Sequence, residues 1–275
     1  MRDVPIDQRV SRRDGYAPAP RLTPGLLAVG LAAAGLLGAC SRLGPSARYY
    51  YPAEDLLDGL VYAYAVDAAA TAELEPHYWY FRGVATPDSL VLASTYYDAG
   101  YEPRQYVGER IVPSGSLQRD LRLFEPGPLG QPSRETRAEV LAPALFSFAE
   151  PDTARVLVNV VRFRENAAPT DTASVAPGTE ATVYTLTRNR RYLRDTTLEV
   201  LGRRRDAQVW EVRELIERDE NGVLALRTTS REVYAEDLGL AYRARRLPDG
   251  SVEAYRLAET FPMEELVRRA EASQR

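Results

Sequence analysis

Hydrophobic and polar residues alternate along most of the chain after residue 49, and this period of two is typical of strands with one buried face. The alternating runs are rich in β-branched and aromatic residues, which favour pleated sheet. We predict strands at 60–67, 77–84, 89–97, 104–112, 117–124, 155–165, 181–188, 196–203, 207–217, 222–234, 239–247 and 251–259.

Short turns separate several of these strands. Asn221-Gly222 and Pro248-Asp249-Gly250 each lie between two alternating runs, and glycine and asparagine tolerate the positive φ of a tight hairpin. Thr86-Pro87-Asp88 predicts a third turn. Tight hairpins join antiparallel neighbours, since parallel strands need long crossovers. The pattern therefore predicts an all-β fold of mainly antiparallel sheet, built as a curved sheet, a sandwich or a half-barrel.

One amphipathic helix is predicted at the C-terminus. Its apolar residues are spaced at i, i+3, i+4 and i+7, at Met263, Leu266, Val267 and Ala270. Two glutamates of the first turn each have an arginine four residues later, which adds helix-stabilising pairs. We expect the apolar stripe to pack on the sheet, with contact to a partner protein as the alternative.

Two segments interrupt the alternating pattern. Residues 125–133 contain several prolines, which cannot donate hydrogen bonds in a central strand. Residues 166–181 are rich in Ala, Pro, Thr and Ser and predict a long loop. We treat 49–275 as a single β-rich domain, with a sub-division near 125–150 as the alternative.

The N-terminal region has the pattern of an export signal. The segment from Leu22 to Ser41 has no charged residue, and five arginines precede it. The segment is just long enough for a spanning helix, which needs about 20 apolar residues. Pro24 and several glycines make a cleaved signal the preferred interpretation.

The end of this segment, Leu37-Gly38-Ala39-Cys40, resembles the lipobox of bacterial lipoproteins. The resemblance implies that Leu37, Gly38 and Ala39 are recognised by the signal peptidase and that Cys40 carries the lipid. Residues 1–39 are then a cleaved signal peptide, and 40–48 form a lipidated tether. By the same resemblance, Ser41 after the cysteine implies an outer-membrane location facing the periplasm. The alternative is that Cys40, the single cysteine, is an incidental buried thiol.

Composition and charge limit the function classes. The net charge of −4 argues against a general nucleic-acid binder. All 35 basic residues are arginine, which suits planar ion pairs. A chain with a single cysteine cannot form an internal disulfide, and lipidation of Cys40, as the resemblance implies, would leave no free thiol to oxidise.

No catalytic, metal-binding or cofactor-binding motif is predicted. His77 is the single histidine, so a histidine-rich metal site is impossible, and no serine lies in a nucleophile elbow. We expect His77 to be a strand-edge residue. Carboxylates without further pattern are expected on the surface, in two groups: Glu54, Asp55 and Asp58, and Glu232, Glu236 and Asp237.

Aromatic residues mark a candidate binding face. Eleven of the 17 tyrosines lie between Tyr49 and Tyr106. Tyrosine and tryptophan offer a flat ring with a polar tip, which suits sugars, peptides or lipid interfaces. Ordinary packing in a half-buried sheet is the alternative. The candidate face consists of Tyr62, Tyr64, Tyr78, Trp79 and Tyr80.

Arginines two residues apart lie on the same face of a strand, as Arg188 and Arg190 do, and Arg243 and Arg245. Such a stripe could contact anionic lipid head groups or acidic glycans. We expect instead that these arginines pair across strands with glutamates. The candidate partners are Glu211, Glu214, Glu217 and Glu232.

Together these features predict a lipid-anchored protein of the bacterial envelope with a non-catalytic domain that binds or scaffolds. Its partners are the membrane, through the lipid, and an unknown apolar, glycan or protein ligand. No cofactor and no nucleic acid are expected. The alternatives are an envelope hydrolase with paired carboxylates and an accessory subunit of an outer-membrane assembly.

Overall fold

The computed structural model describes residues 43–86, 89–126, 133–165 and 182–273. The chain separates between Ser41 and Arg42, and all of the described residues belong to the second unit. The predicted lipobox, with Leu37, Gly38, Ala39 and Cys40, lies outside the described residues, as do positions 87–88, 127–132 and 166–181.

The described residues form thirteen strands, a short 3-10 helix at Pro45–Tyr49 and the helix α1 at Met263–Ser273. The strands are β1 Leu60–Val66, β2 His77–Thr86, β3 Ser89–Tyr97, β4 Pro103–Val112, β5 Gly115–Glu125, β6 Arg134–Arg137, β7 Glu139–Ser147, β8 Val156–Glu165, β9 Thr182–Val200, β10 Arg203–Arg218, β11 Leu224–Ala235, β12 Gly239–Arg246 and β13 Val252–Phe261.

Most of the predicted strands and the C-terminal helix are confirmed, with small shifts at their ends. The two strands predicted at 181–188 and 196–203 are wrong, because they are one long strand, β9. Residues 189–195, between the two predictions, include several charged residues, yet they stay in the sheet through pairing with β10, and Arg190 has a buried carboxylate partner. Strand β7 was missed by the pattern, since Pro143 and its flanking alanines are weak strand formers. Strand β6 has only four residues.

All thirteen strands belong to one antiparallel sheet, in the order β4-β3-β2-β1-β13-β12-β11-β10-β9-β8-β7-β5-β6. A further pairing joins β4 to β5, so twelve strands close into a barrel and β6 flanks β5. Strands on both sides of residues 125–150 belong to this one sheet. The all-β prediction is confirmed, and the sheet is closed rather than an open curved sheet, half-barrel or sandwich. Closure pairs the strand edges that would otherwise be free.

One end of the barrel interior is filled by the segment 45–59, and we call it the closed end. The ring of Tyr50 lies 4.8 Å from that of Phe146, and the ring of Tyr51 lies 4.1 Å from that of Phe81. Gly83 permits this packing, since a Cβ there would lie 1.9 Å from the Ala53 carbonyl oxygen. Burial of these rings gives the closed end its hydrophobic core.

Helix α1 packs on the outer surface of the barrel. Leu266 is 2% exposed and packs against Val61, Tyr78 and Phe261. The predicted packing of this helix on the sheet is confirmed. Val267, from the same predicted stripe, remains 48% exposed. No helix in the described part of the chain is long and apolar enough to span a bilayer.

Candidate functional site

The five aromatic residues of the predicted binding face lie on two opposite faces of the barrel wall. Tyr62, Tyr64 and Trp79 belong to the interior cluster. Tyr78 and Tyr80 belong to the outer cluster that α1 covers. The structure therefore does not bring the five together, because successive residues of a strand point to opposite faces.

His77 starts β2 and turns its ring into the interior. The ring stacks on Tyr64 with centroids 5.1 Å apart and meets the edge of Tyr255 at 4.3 Å. Burial, with a smaller contribution from the charge of Arg243, lowers its pKa to about 4. The imidazole is therefore neutral at pH 7 and packs as one more aromatic ring.

Glu214 is the centre of an ion-pair network in the interior. Its carboxylate lies 2.8 Å from Arg188 Nη2, 3.6 Å from Arg243 Nη2 and 3.9 Å from Arg245 Nη1. Thr228 Oγ1 donates a hydrogen bond of 3.3 Å to the same carboxylate. Burial by itself raises the pKa of Glu214, but the three arginines outweigh it and lower the pKa to about 2.

A second buried pair lies nearer the closed end. Arg190 Nη2 donates a 3.0 Å hydrogen bond to Glu232 Oε2, and the Tyr234 hydroxyl donates to the same oxygen at 3.0 Å. Arg190 also donates to the backbone carbonyl of Leu145. Burial by itself raises the pKa of Glu232, but Arg190 and neighbouring arginines outweigh this effect and lower the pKa below its usual value. The carboxylate therefore stays ionised.

The predicted pairing across strands is thus confirmed for Glu214 and Glu232. The prediction that Glu232 is a solvated surface charge is wrong, since it is 5% exposed. Its spacing of two residues from Tyr234 on β11 could have indicated an inward position, since residues two apart share a face of the strand. Glu54, Asp55 and Asp58 are exposed as predicted.

A third buried carboxylate, Glu109 on β4, holds the segment 45–59 to the barrel wall. The hydroxyls of Tyr50 and Ser116 both donate to Glu109 Oε2. Burial raises the pKa of Glu109, although these hydrogen bonds oppose the shift. Tyr50 is itself buried, so this polar contact fixes the segment inside an otherwise aromatic region.

The interior ion pairs of Glu214 and Glu232 are poorly suited to proton transfer. A general acid of the glycosidase kind needs a raised pKa, whereas arginines keep Glu214 and Glu232 ionised. A raised pKa is found at Glu109 instead, whose Oε2 already accepts hydrogen bonds from the hydroxyls of Tyr50 and Ser116. Within the described residues no group of three or more His, Cys, Asp or Glu side chains could hold a metal ion. The interior ion pairs therefore have the properties of structural links between strands.

The outer surface has a groove across β8 to β13, in which residues of adjacent strands form two rows. The first row is Val156, Arg191, Glu211, Arg231 and Ala244, and it ends at Ala254, which is fully buried. The second row is Val158, Asn189, Arg213, Thr229, Arg246 and Val252. Two adjoining cavities of about 380 and 230 Å³ lie along these rows and share Glu211.

Four arginines line the groove, and we call them the outer arginines: Arg191, Arg213, Arg231 and Arg246. Glu211 is the single carboxylate among the lining residues, and it lies 3.3 Å from Arg191 Nη2 and 3.0 Å from Arg213 Nη2. Among the described residues neither Arg231 nor Arg246 is in an ion pair. The groove therefore has an excess of three positive charges.

The outer arginines are not predicted by spacing within one strand, because they lie on four different strands, β9 to β12. The available signal was the alternation itself. Arg188 and Arg190 share one face of β9, so Arg191 lies on the other. Which of the two faces is the outer one depends on closure of the barrel.

Comparisons with known proteins give structural neighbours only. No protein-family model matches the chain, and no curated protein matches it. A protein of Bacteroides fragilis, described as exported with a YMCC-like fold, superimposes with a TM-score of 0.45 at 10% identity, covering 74% of this chain and 94% of its own. A protein of Parabacteroides distasonis, described as a lipoprotein, gives a TM-score of 0.40 at 9% identity, covering 77% and 95%.

Proposed function

We propose that this chain is a lipid-anchored protein of the bacterial envelope, in the outer membrane facing the periplasm, whose barrel binds or scaffolds without catalysis. The observation that carries the proposal of a non-catalytic barrel is the interior, where arginines hold Glu214 and Glu232 as ionised carboxylates. The Leu37-Gly38-Ala39-Cys40 motif supports the anchor.

The same interior favours a scaffold over a carrier of apolar ligands. A carrier needs a large apolar cavity. At the closed end the segment 45–59 and aromatic rings fill the described interior, and beyond them lie ion pairs. Binding is therefore expected on the outer surface of the barrel.

Lipid attachment is tested by expressing the full chain in a Gram-negative host with labelled palmitate. Wild-type protein should be labelled and recovered with the outer membrane, because Cys40 would carry the acyl chains. Cys40→Ser should lose the label and remain unprocessed. Ser41→Ala is the matched control, since it leaves the cysteine in place and should still be labelled. Label retained by Cys40→Ser would refute the anchor.

The scaffold is tested by extracting the purified protein with organic solvent and identifying released lipids by mass spectrometry. We expect no released lipid, because acyl chains at Cys40 would be covalently bound and stay on the protein, and segment 45–59 with its aromatic neighbours fills the closed end. A lipid recovered in a one-to-one ratio with the protein would show a carrier instead.

A further inference from the structure

The outer arginines give the groove a charge opposite in sign to the net charge of the molecule. The chain has a net charge of −4, yet the groove has an excess of three positive charges. Arg231 lies in the first row on β11, Arg246 lies in the second row on β12, and both are exposed. A localised basic surface on an acidic protein indicates an anionic partner, because unpaired surface arginines otherwise gain nothing from clustering.

Exposed apolar residues continue the same two rows. Val156 and Val158 end the rows on β8 and are 48% and 41% exposed. At a strand spacing of about 4.8 Å, the second row spans roughly 24 Å over six strands and the exposed part of the first row roughly 19 Å over five. The groove floor adds the half-buried Leu193 and Tyr242. Arginines beside exposed valines and a tyrosine match the polar and apolar layers of a membrane interface.

We infer that this outer face docks on anionic phospholipid head groups of the membrane that holds the anchor. The inference rests on the proposed lipid anchor, which keeps the barrel close to one leaflet and raises the effective concentration of head groups. The phosphates would pair with Arg231 and Arg246, and the valines would reach the edge of the acyl region. Arginine is suited to this because its planar guanidinium binds phosphate through two hydrogen bonds.

A peptide ligand fits this face less well. An extended peptide usually binds by adding a strand to a free sheet edge. The groove lies in the middle of the sheet, where β8 to β13 are each paired on both sides, so their backbone groups are already bonded. Recognition must therefore come from side chains, as it does for head groups.

The test uses the mature lipidated protein, reconstituted in phosphatidylcholine vesicles with or without phosphatidylglycerol. Thr229→Cys, in the second row, carries a fluorophore, and head-group spin-labelled lipid is the quencher. Arg110→Cys is the control position, because it is exposed on β4, the strand opposite β11 in the barrel. We expect quenching at position 229 that needs phosphatidylglycerol and disappears at high salt, and little quenching at position 110.

Arg231→Gln with Arg246→Gln, in the Thr229→Cys protein, should lower the ratio of docked to undocked barrel roughly 30-fold, because two interfacial arginines are removed. Arg82→Gln with Arg110→Gln removes the same charge from β2 and β4 and should leave quenching unchanged.

Equal quenching at positions 229 and 110, or quenching without phosphatidylglycerol, would overturn the docking. Release of the barrel by an equimolar soluble polyanion, such as single-stranded DNA or an acidic oligosaccharide, would assign the groove to that ligand instead. A missing palmitate label would refute the anchor, whereas these outcomes concern docking alone.

Discussion

Arg190 and Glu232 are 42 residues apart in the chain and meet inside the barrel at 3.0 Å, each with less than a tenth of its side chain exposed. They connect β9 to β11 across the intervening β10. A buried pair contributes little compared with apolar packing, but removing one partner leaves an uncompensated charge.

Arg190→Leu should therefore lower the free energy of unfolding by about 3–5 kcal/mol. Urea denaturation followed by tryptophan fluorescence measures the change. Replacing both residues by leucine should recover part of the loss, since no charge is then left buried. The matched control is Arg191→Leu, which breaks a half-exposed pair with Glu211 and should cost less than about 1 kcal/mol. Equal losses at 190 and 191 would contradict the buried network.

Stability should depend on pH through His77. Its pKa is about 4 in the folded protein and 6.5 when unperturbed, so between these values the unfolded chain binds the extra proton. The free energy of unfolding should rise from pH 4 to pH 6.5, by an amount of up to about 3 kcal/mol, and stay level above. His77→Gln should flatten this slope in urea denaturation at pH 4.5, 5.5 and 7. A slope unchanged in the variant would assign it to other groups.

Gly83 tests the insertion of segment 45–59 into the closed end. Gly83→Ala places a methyl group against the Ala53 carbonyl oxygen, which lies 1.9 Å from the new Cβ. We expect a loss of about 1–3 kcal/mol from overpacking and faster proteolysis within residues 45–59. Gly100→Ala is the control, since its new Cβ meets only the end of the Asp98 side chain, at 3.3 Å. Unchanged proteolysis in Gly83→Ala would show that the segment is not held there.

Leu266 and Val267 test the packing of α1. Leu266→Ala should cost about 2–5 kcal/mol because it removes a buried side chain beneath the helix. Val267→Ala should change stability by less than about 0.5 kcal/mol in thermal or urea denaturation, since its side chain is 48% exposed. The reverse order would show that the helix presents its other side to the barrel.

Local patterns predict much of the β structure and the terminal helix. Alternation places Tyr78 and Trp79 on opposite faces of β2, and apolar spacing marks Leu266 as the centre of a helix face. The Asn221-Gly222 turn joins β10 to β11 with Gly222 at a φ of 63°, as its composition predicts. These features depend on residues close in sequence.

By itself, then, the sequence determined most of the secondary structure of the described residues and the division of each strand into two faces, and it contains a segment, Leu37-Gly38-Ala39-Cys40, that resembles a lipobox. Only the tertiary structure decided which face is inside, since both faces of β1 and β2 are apolar: Tyr62 and Trp79 pack in the interior, while Val61 and Tyr78 pack under α1. Closure through the β1–β13 and β4–β5 pairings also determines which arginines point into the interior. Arg190 is a buried partner of Glu232, and Arg191 lines the outer groove. The reason is that contacts between strands far apart in the chain determine whether a side chain points into the barrel or away from it.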